Sequence, residues 1–325
     1  MDVADSPGWR RTLGAGALPT TAISLGLAAL GRPGYLNLGH GADFEDNSVA
    51  ALAARTHEVL DDAYAAGVRH FDAARSYGRA EEFLGSWLSS REIGAREVTI
   101  SSKWGYSYTA DWQVDADTPE VKELTADTFR RQLEETHELL GSHLSLYQIH
   151  SATVSSGVLD DAEVLCELRA LRAGGVAVGA SVSGTEQGAT VERLLQTGVF
   201  DTVQGTWNLL ERSAGPTLQA AHEAGLGVII KEALANGRLA ARGTVDPVAR
   251  AARRLGVTQD ALAIAAVLAR PWVDTVLSGA ATVAQLKSNL GAVRIEWDAA
   301  LEDELGSLTE EPSAYWSTRS ELPWT

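Results

Sequence analysis

The chain has 325 residues and sets 27 Lys and Arg against 43 Asp and Glu, a formal net charge of −16. That balance argues against a nucleic-acid partner, which needs clustered cations to track phosphates, and a hydrophobic content of 45% excludes a disordered chain. A single cysteine, Cys166, excludes an intrachain disulfide and a cysteine-based zinc cluster.

The N-terminal run MDVADSPGWRRTLG carries acids and no apolar h-region, so a secretory signal is not expected. No stretch of about 18 apolar residues offers a membrane span, and a cytoplasmic location is the expectation. Residues 1–9 read as a mobile tail. From there eight β-rich runs alternate with helical segments: AISLG near Ile23, VRHFD ending at Asp72, VTISSK ending at Lys103, LYQIH ending at His150, VAVGAS ending at Ser181, DTVQGTW around Gln204, LGVIIK ending at Lys231 and DTVLSG ending at Gly279. Between them HEVLDDAYAAG, AEEFLGSWLSS, FRRQLEETHELL, AEVLCELRALRAGG, VERLLQTG, LQAAHEAG, ALAIAAVLAR and VAQLKSNLGA have helical spacing. Strict alternation means a parallel sheet. An α/β fold, a single-domain (β/α)8 TIM barrel over residues 10–309, is expected, with an open doubly wound sheet as the rival. The barrel is favoured because Asp72, Lys103, His150 and Ser181 end different strands, where a barrel places its active site.

Two segments fall outside the repeat. GRPGYLNLGHGADFED is long for a βα loop, and such loops are often functional. Residues 310–325 carry Trp316 and Trp324 on a polar background and are expected to fold back on the barrel.

Three successive strand ends carry a proton-transfer set. Tyrosine, with a pKa of about 10, is a poor acid at neutral pH, and a nearby ammonium favours its phenolate. Lys103 would act so on Tyr77, Asp72 would hold Lys103 in place, and His150 would donate to a substrate oxygen or share the proton. No H-x-H or H-x-x-x-H pair stands at a strand end, so no metal site is expected.

On these residues the chain resembles the aldo-keto reductase superfamily from about Arg10 to Gly291. HFDAARSYGRAE is similar to the family's aspartate and tyrosine motif, SSKWG to its lysine strand, LYQIHS to its histidine strand, FDTVQGTWNLLER to its glutamine strand and SGAATVAQLKSNLGA to its C-terminal cofactor signature. The resemblance implies a barrel that binds NADPH or NADH without a Rossmann domain, and indeed GAGALP near Gly14 is not a dinucleotide fingerprint. It implies a catalytic tetrad of Asp72, Tyr77, Lys103 and His150. It places the carboxamide on Ser181 and Gln204, the ribose side on Gly26 and Leu27, the pyrophosphate against EALANGRL with Glu232, Leu234, Asn236 and Arg238, and the adenosine on Gly279, Ala281, Gln285 and Asn289.

Three departures stand out. Ser181-Val182 replaces the family's frequent Ser-Asn, Lys231 stands where an aromatic often stacks on the nicotinamide, and no cation adjoins Ala281, leaving Lys287 and Arg238 as the nearest candidates for a 2′-phosphate. Tyr35, Trp104, Tyr106, Trp112 and Trp207 are candidate walls of a pocket for a sugar or apolar carbonyl. The implied activity is hydride transfer between nicotinamide and a carbonyl or alcohol carbon of an aldehyde, ketone or aldose. The alternative is a nicotinamide-binding regulatory subunit with little turnover. A small-molecule partner is expected, and the oligomeric state is not legible.

Overall fold

Eight short strands close on themselves: β1 (Ile23–Gly26), β2 (His70–Asp72), β3 (Thr99–Trp104), β4 (Leu144–Ala152), β5 (Ala177–Val182), β6 (Thr202–Thr206), β7 (Gly227–Lys231) and β8 (Thr275–Ser278). In this computed structural model, which describes residues 3–16, 18–34, 46–114 and 116–322, every neighbouring pair is parallel and β8 returns to β1. Parallel pairs need a crossover, and helices supply it on the outer face: α1 (Val49–Ala65), α2 (Ala80–Ser90), α3 (Ala126–Leu140), α4 (Ala162–Ala173), α5 (Gln187–Thr197), α6 (Gly215–Glu223), α7 (Asp246–Leu255), α8 (Gln259–Leu268) and α9 (Val283–Leu290). Ser48, Thr125, Asp161, Thr258 and Thr282 cap helix starts with side-chain oxygens. All eight expected strands and the expected helices are present. The helix α7 is an addition to the expected set: DPVARAARRL buries Val248, Ala251 and Ala252, a narrow stripe at i, i+3 and i+4 on an otherwise charged segment.

Strand alternation sorts the core into two zones. Outward residues such as Phe71, Ile100, Val178 and Val203 join the helices in one large apolar cluster. The interior is polar, with Ser24, His70, Asp72, Ser101, Lys103, Gln148 and Gln204 all buried. An N-terminal hairpin, Arg10–Leu13 against Leu18–Thr21, places Leu13 on Leu146 and Ile229. The segment read as a mobile tail packs over its described residues: Trp9 is buried and its Nε1 donates to the Gly67 carbonyl at 3.2 Å. An indole of this size removes enough apolar area from water to hold the segment.

In the C-terminal segment the buried aromatic is Tyr315. Beyond α10 (Ala299–Gly306), α11 (Pro312–Glu321) buries Tyr315 in a second cluster with Leu209, Leu239, Leu262 and Leu305, while Trp316 is half-buried. Trp324 lies outside the described residues.

Burial pushes the His70 imidazole down to about 4, against attraction from Asp72. The unfolded chain, whose histidine titrates near its ordinary value of about 6.5, therefore binds a proton that the native state refuses. This contribution to stability is complete above about pH 6.5 and is lost as pH falls toward 4. Urea unfolding should show wild type losing about 3 kcal/mol more than a His70→Gln variant across that window.

Candidate active site

Strand register brings Asp72 and Lys103 onto neighbouring strands at the same end of the barrel. Gly26 pairs with Asp72, Asp72 with Ser101, and Lys103 with Gln148 across β1 to β4. Asp72 and Lys103 are both 1% exposed and form an ion pair, with the ammonium also donating to the Ala73 carbonyl at 3.0 Å. A buried pair is tolerable only when the remaining lone pairs are served. Here they are: Asp72 Oδ1 accepts from Ser101 Oγ at 2.6 Å and Gln148 Nε2 at 3.2 Å, and Oδ2 from Gln204 Nε2 at 3.5 Å.

Tyr77 follows in the turn after β2, where its backbone N–H bonds the Ala74 carbonyl at 3.0 Å. The Lys103 ammonium lies 4.9 Å from the centre of its ring, and the His150 ring meets it edge-on at 5.5 Å. His150 Nδ1 is 3.3 Å from Ser76 Oγ. Burial, reinforced by Lys103, Lys231, Lys122 and Arg32, holds His150 well below its ordinary range, so it is neutral at physiological pH.

A second hairpin, Tyr106–Tyr108 against Glu120–Lys122, walls the site. Tyr106 stands 5.0 Å from His150, ring to ring. Lys122 Nζ donates to the Ser151 carbonyl at 2.7 Å. Glu120 pairs with Arg32 at 3.3 Å and stands within reach of the Ser76 hydroxyl, its carboxyl raised by burial. Sequence reading missed Arg32, Ser76, Glu120 and Lys122. Ser76 lies inside HFDAARSYGRAE, whereas the polar run around Glu120 has no periodicity that would mark it as placed.

The residues expected to hold a cofactor line the opposite arc. Ser181 Oγ accepts the Ser151 N–H at 2.8 Å. Ser181 and Gln204 are buried, Leu27 is buried beside half-buried Gly26, and Leu234 is half-buried. Lys231 donates to Thr206 Oγ1 at 2.9 Å, Ser183 Oγ at 3.4 Å and Glu232 at 3.4 Å; burial lowers its ammonium, with Glu232 opposing. Glu232 also takes two bonds from Arg319 of α11, at 2.9 and 2.6 Å. Burial raises its carboxyl, but Lys231 and Arg319 outweigh that and hold it at about 2. Glu232 and Asn236 both have φ of 56°, a left-handed conformation that non-glycine residues adopt at a cost and that clusters at ligand-binding loops.

On the adenosine side, Gly279 is exposed and a Cβ there would meet nothing within 4 Å. Gln285 Oε1 accepts the Ala281 N–H at 2.8 Å, and Asn289 Nδ2 donates to Ser278 Oγ at 2.8 Å. Both candidate cations for a 2′-phosphate are taken. Arg238 forms a two-pronged pair with Glu310, and Lys287 pairs with Asp62 at 3.0 Å.

Of the aromatic candidates, Tyr106 faces the site. Trp112 sits farther out, half-buried, its Nε1 donating to the Asn47 carbonyl at 2.8 Å. Trp104 and Trp207 are not pocket walls. Alternation turns Lys103 inward and therefore Trp104 outward onto Phe129, 5.1 Å away; likewise Trp207 lies on the Gln204-opposed face and packs on Trp272 at 5.8 Å. Tyr35 lies outside the described residues. Among the described residues no three His, Cys, Asp or Glu side chains gather as a metal site, and no helix is long and apolar enough to cross a membrane.

Known proteins resemble this chain over most of its length. Two Bacillus subtilis oxidoreductases are similar in sequence: YrpG, 27% identical over 79% of this chain and 89% of its own, and YqkF, 23% identical over 87% and 90%. Among solved structures, the aldo-keto reductase AKR11C1 of Bacillus halodurans in its holo form superposes with a TM-score of 0.73 at 19% identity, covering 93% of this chain and 96% of that one. A Pseudomonas aeruginosa protein described as an aldo-keto reductase, PA4992, gives 0.66 at 24% identity, covering 90% and 96%. At these identities the superpositions speak to the barrel alone. The model of the aldo/keto reductase family matches residues 22–308, and the chain belongs to that family of oxidoreductases.

Proposed function

We propose that the protein is an NAD(P)-dependent carbonyl reductase, or in reverse an alcohol or aldose dehydrogenase, with Tyr77 as general acid and base. The observation that carries this is the buried Lys103–Asp72 pair beside Tyr77, with neutral His150 edge-on to the same ring. A lone buried ion pair stabilises a fold little, whereas an ammonium beside a phenol stabilises the phenolate left when Tyr77 gives its proton to a substrate oxygen. His150, uncharged, holds that oxygen by a hydrogen bond without competing for the proton.

The residues present fit a nicotinamide cofactor. Gly26, Ser181, Gln204, Lys231 and Gly279 lie on or directly after five successive strands, β5 to β8 and β1, forming one arc that meets the tetrad at the Gly26–Asp72 register pair. The open backbone at Gly279 and the start of α9 suit a phosphate. When bound, the nicotinamide supplies or accepts the hydride. Assays of NADH and NADPH consumption against aldehydes, ketones and aldoses, with alcohol and sugar oxidation run in parallel, test the reading. Absence of turnover with any of these, despite cofactor binding, would instead support a regulatory subunit.

Cofactor preference follows from the paired cations. Wild type is expected to discriminate little against NADH, because Arg238 and Lys287 are both engaged by carboxylates. Glu310→Gln should release Arg238 and tighten NADPH roughly tenfold, the worth of one charge-assisted hydrogen bond, with NADH unchanged by fluorescence titration.

Lys231 is held by Thr206 and Glu232, so little net charge is presented to a nicotinamide. Lys231→Met should therefore change the ratio of oxidised to reduced cofactor Kd by less than about threefold, because the adjacent Glu232 carboxylate offsets the ammonium's field at the ring.

A further inference from the structure

Among the buried titratable groups, His70 has no part in the mechanism above, yet it lies one hydroxyl away from Asp72. Its Nε2 is 2.9 Å from Ser101 Oγ, which is 2.6 Å from Asp72 Oδ1; on the other side its Nδ1 is 3.2 Å from Thr20 Oγ1. Thr20 belongs to the hairpin strand Leu18–Thr21. A line of polar side chains thus runs from the N-terminal hairpin to the catalytic aspartate.

Counting protons orients the bonds nearest the carboxylate. A carboxylate only accepts, so Ser101 spends its single proton on Asp72 and can only accept from His70. His70 must then carry its hydrogen on Nε2, which leaves Nδ1 bare and in need of a donor. Thr20 Oγ1 is the hydroxyl in reach at 3.2 Å, and Nδ1 is the nearest of three acceptors for its single proton, the others being Ser24 Oγ at 3.3 Å and the Thr21 carbonyl at 3.4 Å. Ser24 does not donate to Thr20: Thr275 gives its proton to the Thr21 carbonyl at 2.7 Å, so the 2.6 Å contact between Ser24 and Thr275 consumes the proton of Ser24. Two hydrogen bonds, His70 to Ser101 and Ser101 to Asp72, therefore point toward the carboxylate, and bonds aligned in this way polarise one another.

We propose that His70 is a positioning residue for the proton-transfer set, locked as the Nε2–H tautomer and acting through Ser101 to fix the carboxylate of Asp72 that holds Lys103. The proposal rests on the catalytic reading given above. The charged groups around His70 are Asp72 and Lys103; Lys103 in turn faces Tyr77 and His150. Burial, which keeps the ring neutral through the physiological range, agrees with the tautomer the proton count requires. Without the last bond of the chain, Oδ1 keeps only the longer contact from Gln148, and the carboxylate that holds Lys103 is less firmly fixed.

Two measurements test this on the full chain. Long-range proton–nitrogen NMR of uniformly labelled protein, with His70 assigned by its loss in His70→Gln, should show an Nε2–H ring that does not titrate between pH 5.5 and 8. An Nδ1–H tautomer, or titration near the ordinary histidine value, would overturn the assignment. This measurement does not depend on turnover, so it survives failure of the catalytic reading. The second measurement is the pH profile of kcat. Ser101→Ala and His70→Leu should move its acid limb upward and lower kcat at the acid end roughly tenfold, the worth of one hydrogen bond to a charged group. His70→Gln, whose amide can still donate to Ser101, should restore the limb. Ser101→Ala removes one atom and keeps the test alive should His70→Leu fail to fold. A limb unmoved in folded Ser101→Ala, with only thermal stability changed, would mean that the chain is structural.

Discussion

Tyr77→Phe is expected to lower kcat by about 10² to 10⁴-fold, the usual worth of a general acid, while leaving cofactor Kd within twofold or so. The substitution removes one oxygen and leaves the ring that packs edge-on against His150 and lies beside the Lys103 ammonium. Neither contact needs the hydroxyl, so the phenyl ring should stay in place. Loss of kcat without loss of cofactor affinity assigns the hydroxyl to the chemical step. Stopped-flow binding and steady-state turnover on the same preparation separate the two quantities. A variant retaining near wild-type kcat would remove Tyr77 from the mechanism and shift attention to His150.

Lys103→Met should be the most damaging single change to stability as well as to turnover. It leaves the Asp72 carboxylate, 1% exposed, without its counter-charge, and stranding one half of a buried pair typically costs about 3 to 5 kcal/mol. Turnover should fall at least as far as in Tyr77→Phe, because the phenolate loses its nearest cation. The double variant Asp72→Asn, Lys103→Met separates the two effects. With both charges gone the penalty of the orphaned carboxylate disappears, so urea unfolding should recover most of the lost stability while kcat stays low. Additive destabilisation in the cycle would mean that the two residues are not coupled, contrary to their direct contact.

The same alternation that makes this site possible explains which residues were legible beforehand. Asp72, Lys103 and His150 end successive β-rich runs, and Tyr77 follows at a fixed spacing; periodicity and spacing are local properties that survive reading as a string. The eight strands were visible for the same reason, since each is a short apolar run between turns. Alternation also sets Trp104 and Trp207 apart from the site: a residue an odd number of places from an inward lysine or glutamine, one from Lys103 and three from Gln204, points the other way. Trp9 was assigned to a tail because a lone tryptophan among polar residues has no period, and only the Gly67 carbonyl and its surroundings show where it packs.

What the sequence determined by itself is the order of the β/α units and the residue types at their ends, because a barrel strand must be apolar toward its helices and must stop where its turn begins. The tertiary structure alone decided which distant groups share the site. Glu120 and Lys122 reach it on a hairpin, Arg319 comes from α11 to grip Glu232, and Glu310 takes Arg238. It also decided that His70 stands in line with Asp72. Each depends on a polar group far away in the chain, Ser101 being the distant link between His70 and Asp72, and a polar side chain carries no mark in its own neighbourhood of the partner it will meet. Chain closure selects that partner, since a buried donor or acceptor left without one costs about 1 to 3 kcal/mol.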